Sequence, residues 1–237
     1  MHYFRTLLAT SFLLPVLPAQ PTFDTNLENF PTVSDGHKDA PLRIMPLGAS
    51  ITQGMQSTDG NGYRNWLRLF MVSKGREVDM VGSKKDGNMT DNDNEGHPGF
   101  TISEVYGAWN KSAGLRPNLV LVNAGTNDCI QSKDTKHAGV RMKALIDDIF
   151  KKVPETTVIL STLVPSRDNG ACARNISTQF RELVKSKHYR NARLGLADIE
   201  SSLKLSDLAD GTHPNDGGYK IFAGVWCTAI DKLQDKI

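Results

Sequence analysis

A handful of residues spaced along this chain are of the types that acyl transfer needs. Ser50 stands in Gly48-Ala49-Ser50-Ile51-Thr52, directly after a short apolar run. A serine between a strand and a helix directs its hydroxyl outward, and the small residues before it let the chain turn tightly. A helix beginning there also favours negative charge on a reacting oxygen. This is not the G-x-S-x-G elbow, because Thr52 takes the place of the second glycine; by itself the segment reads equally well as a helix cap. Asp210 and His213 lie three apart in Asp210-Gly211-Thr212-His213-Pro214. In a tight loop the carboxylate can hold one imidazole nitrogen while the other takes a proton from a serine. A lone histidine is more often structural, but Pro214 and the helix after it stiffen this loop. An acyl-transfer site also needs donors for an oxyanion. Gly82, at the end of Val78-Asp79-Met80-Val81-Gly82, would let a backbone N–H approach a substrate closely, and Asn127, in Gly125-Thr126-Asn127-Asp128, carries a neutral amide suited to the same charge. Each has a bland alternative, a turn glycine or a capping asparagine.

The elements that must position these residues are legible in the apolar pattern. Short strand-like runs fall at Leu42–Leu47, Glu77–Val81, Asn118–Asn123, Thr156–Leu163 and Arg193–Ile199. Between them, helical spacing places Tyr63, Trp66, Leu67, Phe70 and Met71 on one face, then Met142, Leu145, Ile146, Ile149 and Phe150, then Ile176, Phe180, Leu183 and Val184. A last stripe holds Tyr219, Phe222, Ala223, Trp226, Cys227 and Ile230. Alternation of this kind builds βαβ units and a parallel sheet covered on both faces. The expected fold is α/β, a three-layer α/β/α sandwich around a flavodoxin-like, five-stranded parallel sheet. Ligands of such sheets bind beyond the carboxyl ends of the strands, which is where Ser50, Gly82 and Asn127 fall.

In this order the segments GASIT, VGS, GTND and DGTHP resemble the four blocks of the SGNH (GDSL-type) hydrolase superfamily, over Leu42 to about Ile230. The resemblance implies ester hydrolysis through an acyl-serine. Ser50 would be the nucleophile, His213 the base and Asp210 its partner; the oxyanion hole would comprise the Ser50 N–H, the Gly82 N–H and the Asn127 side chain. Neither a metal nor a cofactor is implied. Glu95-Gly96-His97-Pro98-Gly99, with Gly62-Tyr63-Arg64, is similar to carbohydrate esterase family 3, the secreted acetyl xylan esterases. The implied partner is an acetylated plant polysaccharide or oligosaccharide. One departure is Ala49, where the superfamily usually has Asp. The alternatives are a lipase or lysophospholipase on the same scaffold, and a carbohydrate-binding relative without turnover, for which Ala49 is the only support.

Composition agrees with this class. The chain has 237 residues with 28 Lys and Arg against 26 Asp and Glu, a balance without an electrostatic footprint for nucleic acid. No nucleotide-binding glycine motif follows the first strand. Residues 1–19, with Arg5 and an apolar stretch from Leu7 to Leu17, read as a secretory signal too short to anchor in a membrane. Residues 20–41 read as a polar leader and 42–237 as the catalytic domain. The expected mature protein is extracellular and monomeric. Asn88, Asn110 and Asn175 head N-x-[ST] sequons, candidate glycan acceptors on the surface. Of three cysteines, Cys227 lies on the apolar stripe and reads as a buried thiol; Cys129 and Cys172, each in a loop after a strand, are expected to pair. Asp128 reads as a local brace beside Asn127, and His97 as a brace of its loop. Asp91, Asp93 and Glu95 resemble the start of an EF-hand, but Ile102 stands at the twelfth position, so they read as a solvated acidic loop.

Overall fold

The computed structural model describes residues 41–237; the expected signal at 1–19 and the leader to residue 40 lie outside the described residues. All five expected strands form: β1 (Leu42–Gly48), β2 (Val78–Met80), β5 (Leu119–Asn123), β6 (Thr157–Ser161) and β7 (Leu194–Ala197). Two more short strands join them, β3 (Lys84–Lys85) and β4 (Asp93–Gly96). The sheet runs β3-β4-β1-β5-β6-β7, with β2 also on β1. Every pairing is parallel except β3 with β4.

One edge of β1 is shared. Its first half pairs with β2, Leu42 opposite Val78 and Ile44 opposite Met80, and its last two residues pair with β4, Leu47 opposite Glu95 and Gly48 opposite Gly96. The strand that reaches the level of the nucleophile is therefore β4, not β2. This corrects the reading of Asp91–Glu95 as a solvated loop. Asn94 and Glu95 are buried. The three carboxylates are committed to separate partners. Asp91 accepts from the Met80 N–H at 2.9 Å, Asp93 pairs with Lys85 at 2.9 Å, and Glu95 accepts from the Ser83 N–H at 2.7 Å. A four-residue strand of Asp, Asn, Glu and Gly has no apolar alternation, so the pattern that reveals half-buried strands is missing here.

Seven α-helices fill the connections: α1 (Ser50–Gln53), α2 (Tyr63–Ser73), α3 (Ile102–Ser112), α4 (Thr126–Ile130), α5 (Ala138–Lys152), α6 (Gly170–Lys185) and α7 (Asp216–Asp231). One sheet face is covered by α3, α5 and α6, whose Val105, Trp109, Met142, Leu145, Ile149 and Phe180 meet Val120, Val122, Val158 and Leu160. The other is covered by α2 and α7, whose Tyr63, Leu67, Phe222 and Trp226 meet Ile44, Leu119, Leu121 and Ile159. No helix among the described residues is long and apolar enough to cross a membrane.

Candidate active site

Ser50 opens α1, immediately beyond the carboxyl end of β1. The turn is held by backbone bonds, Gln53 N–H to Ala49 O at 3.0 Å and both Gly54 and Met55 N–H to Ser50 O at 3.0 Å. No aspartate at position 49 is needed for these, and further bracing comes from below. Arg64, fully buried, donates to the carbonyls of Gln53, Gly60, Asp86 and Asn92 at 2.8–3.0 Å. Burial pulls its guanidinium below the usual arginine range. From the other side, Tyr219 of α7 donates to Met55 O at 2.6 Å, and Asp216 accepts from both the N–H and the hydroxyl of Thr58 at 2.9 and 3.0 Å. The loop after the nucleophile is thus stitched to the helix that follows His213.

Asp210, His213 and Ser50 form a hydrogen-bonded chain. His213 Nε2 lies 2.9 Å from Ser50 Oγ, and Nδ1 lies 2.7 Å from Asp210 Oδ2. The other carboxylate oxygen accepts from the N–H groups of Thr212 and His213 at 2.9 and 2.8 Å. Burial opposes ionisation of Asp210, but these N–H groups and the imidazole outweigh it and hold its carboxyl at about 2. An ionised Asp210 fixes Nδ1 as the protonated nitrogen, which leaves Nε2 to accept from the serine.

Asn127 lies in α4, just after β5, and is nearly buried. Its amide donates to Phe100 O at 3.0 Å, which leaves its second N–H for a ligand. The turn it touches is Gly96–Phe100. That turn leaves β4 beside Gly48, is tied there by the His97 N–H to Gly48 O at 3.0 Å, and is tied to α4 by Gln131 to Gly99 O at 2.7 Å. Gly99 has a φ of +82°, open space where a Cβ would point, and an N–H that bonds to nothing among the described residues. The Ser50 N–H, first of its helix, has no intrahelical partner.

Gly82 is not brought to this group. It lies two residues past Met80, at the level of Pro46 and four residues short of Ser50, about 13 Å along a strand. A Cβ on it would fall 2.0 Å from Asn94 O, so glycine is required there by the close approach of β4. In the turn that Asn127 touches, the unpaired backbone N–H among the described residues is that of Gly99, four residues past Glu95 in the segment Glu95-Gly96-His97-Pro98-Gly99. His97 does act as a brace, through its backbone bond to Gly48 and a 2.8 Å contact between Nε2 and Glu95. Asp128 is fully buried, accepts from the Ile102 N–H at 3.0 Å and pairs with Arg141. Cys129 and Cys172 are joined, and Cys227 is a buried free thiol. Both disulfide partners sit in helices, α4 and α6, rather than in loops. The sequon residues Asn88, Asn110 and Asn175 are all exposed.

A parallel sheet with a serine–histidine–aspartate chain beyond its central strand, flanked by unpaired N–H donors, is the arrangement of an α/β serine hydrolase. The chain belongs to the GDSL-like lipase/acylhydrolase family, whose sequence model matches residues 47–221. Among solved structures it is similar to the Clostridium thermocellum family 3 carbohydrate esterase, with a TM-score of 0.75 and 25% identity over 83% of this chain and 98% of that one. It shares its fold with a carbohydrate esterase family 3 protein from Talaromyces cellulolyticus, TM-score 0.70 and 23% identity over 82% of this chain and 99% of that one. A multidomain esterase of Ruminococcus flavefaciens is 30% identical over 221 residues, covering 80% of this chain but only 28% of that protein's length.

Proposed function

We propose that the protein is a serine esterase that removes O-acetyl groups from a polysaccharide or oligosaccharide. The observation that carries the reaction type is the chain from Asp210 through His213 to Ser50, at 2.7 and 2.9 Å. In the proposed cycle His213 Nε2 takes the Ser50 proton as Oγ attacks the acetyl carbonyl. The new oxyanion accepts from the N–H groups of Ser50 and Gly99 and from the Asn127 amide. Protonated His213 then gives its proton to the departing sugar oxygen. Water, deprotonated by the same imidazole, attacks the acetyl-serine, releasing acetate and restoring Ser50. No step needs a metal.

The sugar-ester class is supported by the likeness to the carbohydrate esterases above and by the Glu95–Gly99 segment, which lies at this site. Secretion follows from the reading of residues 1–19. Acetate release from acetylated xylan, wild type beside Ser50→Ala, tests the reading. The wild type should release acetate, and the variant should lose roughly a factor of 10⁴ or more in kcat, as other serine hydrolases do without their nucleophile. Equal release by both would overturn the acyl-serine mechanism. Faster cleavage of long-chain than of acetyl esters would favour the lipase alternative instead.

A further inference from the structure

The loop between β6 and α6 walls the site between Asn127 and the Asp210–His213 turn, and the acyl-transfer steps make no use of its charge. It is held at three points. Leu163 packs under Gly125, 3.3 Å from where a Cβ would sit, and its N–H donates to Ser177 Oγ at 3.1 Å. The Arg167 N–H donates to Gly211 O at 2.9 Å. Cys172 then fastens α6 to Cys129, two residues past Asn127. Arg167 therefore stands on a fixed rim, bonded to the turn that carries Asp210 and His213.

Its side chain lies across that turn. A Cβ on Gly211 would fall 3.0 Å from Arg167 Cζ and 3.2 Å from Nε. Arg167 is exposed, and its guanidinium makes no hydrogen bond or ion pair with any described residue. The nearby Asp210 is already engaged by three N–H groups. Arg174 of α6 reaches back to within 3.2 Å of where a Gly170 Cβ would be, and its guanidinium has no hydrogen bond or ion pair among the described residues. Against these two cations the segment from Pro165 to Arg174 carries one carboxylate, Asp168. Within that segment cations outnumber carboxylates two to one, and Arg167 is the one that reaches the turn of the site; a neutral glycan has no use for its charge. A guanidinium presents paired N–H groups that match a carboxylate.

We infer that the substrate is an acidic glycan, an O-acetylated polysaccharide or oligosaccharide bearing uronate carboxylates, and that Arg167 binds a carboxylate on a sugar neighbouring the acetylated one. This rests on the esterase reading and narrows its substrate class. The bland role for Arg167 is packing, its aliphatic stem covering Gly211.

Arg167→Gln keeps most of the stem and removes the charge, so it separates the two roles. Wild type, Arg167→Gln and Arg167→Lys would be assayed on nitrophenyl acetate, on acetylated neutral xylo-oligosaccharides, and on acetylated oligosaccharides carrying glucuronate or galacturonate. On the uronate substrates Arg167→Gln should raise KM about two- to fivefold with kcat held, the upper range for an exposed ion pair. Both neutral substrates should change less than about twofold, and Arg167→Lys should recover part of the loss. Raising salt from about 50 to about 500 mM should weaken the wild-type preference for uronates. Equal KM for neutral and acidic glycans in the wild type, or an equal effect of Arg167→Gln on all three substrates, would overturn the inference. If wild type and Ser50→Ala cleave nitrophenyl acetate alike, or neither cleaves it, the esterase reading itself falls and takes this one with it.

Discussion

Asn127 and Gly82 both follow strands of the sheet, but they have different neighbours. Asn127 faces the Gly96–Phe100 turn beside Ser50, while Gly82 lies lower in the sheet against Asn94. Asn127→Ala should therefore lower kcat by about 10²–10³ with little change in KM, the usual loss for one oxyanion donor. Gly82→Ala should instead reduce thermal stability, by about 2–4 kcal/mol if the backbone cannot yield, with kcat per folded molecule kept. A stable Gly82→Ala protein with a crippled kcat would return Gly82 to the site. Glycine identity could not tell these roles apart, because a close approach to backbone and a close approach to substrate select the same residue. Asp210 makes a pH prediction. Its folded-state value is depressed to about 2 from 3.8. Its contribution to stability is therefore full above the unfolded value and is lost as pH falls from about 4 to about 2. The stability gap between wild type and Asp210→Asn, followed by thermal unfolding, should be constant above about pH 5 and close across that acid window. A gap that stayed open at pH 2 would show that the carboxylate is not held by these bonds.

Among the elements, α4 is a single short helix that carries Asn127, and it is fixed at both ends of its purpose. Asp128 bonds it to the start of α3 and to Arg141, and Cys129 links it covalently to α6. The disulfide spans 43 residues, so in the chain-entropy account reducing it should cost about 4 kcal/mol. Denaturant unfolding with and without reductant checks this. If the helix position matters for the oxyanion, kcat should fall on reduction more than binding does; an unchanged midpoint and unchanged kcat would make the bridge ornamental. The pairing was readable from the cysteine count and the apolar placement of Cys227. The helical setting of both partners was not, since the five residues of α4 and the small-residue first turn of α6, Gly170-Ala171-Cys172-Ala173, show no apolar period. The same reason hides β4, whereas α3 does carry the helical period, at Ile102, Val105, Tyr106 and Trp109. Arg64 and Tyr219 stood in readable segments, but their hydrogen bonds to carbonyls of distant loops have no signature in the sequence.

At the scale of the whole molecule, two cores share one sheet. Trp109 lies in the core under α3 and α5, and Trp226 in the core under α2 and α7, both fully buried. Strands β1, β5 and β6 contribute side chains to both, so neither core can dissolve while the other keeps its sheet. Variants retaining only Trp109 or only Trp226 should report the same unfolding midpoint, less any stability lost to the substitution itself, and the same slope with denaturant. Separate transitions in the parent background, followed by two probes, would show the faces to be independent units. The layering was legible because buried parallel strands are continuous apolar runs and the covering helices keep their 3.6-residue stripe.

The sequence by itself determined the class of fold, the order of the major elements, and the serine, histidine, aspartate and asparagine that converge beyond the carboxyl ends of the central strands. It could do so because apolar periodicity specifies which face of each element is buried, and of the two rims where loops then meet, ligands bind at the carboxyl ends of the strands. Only the tertiary structure decided which glycine faces the nucleophile, what braces a turn that lacks an aspartate at position 49, and where Arg167 stands. The first two depend on the level at which β2 stops and β4 begins beside β1, the third on the bonds that tie the β6–α6 loop to Gly211 and Cys129. That level is set by packing and hydrogen bonding between residues far apart in the chain, which no local pattern records.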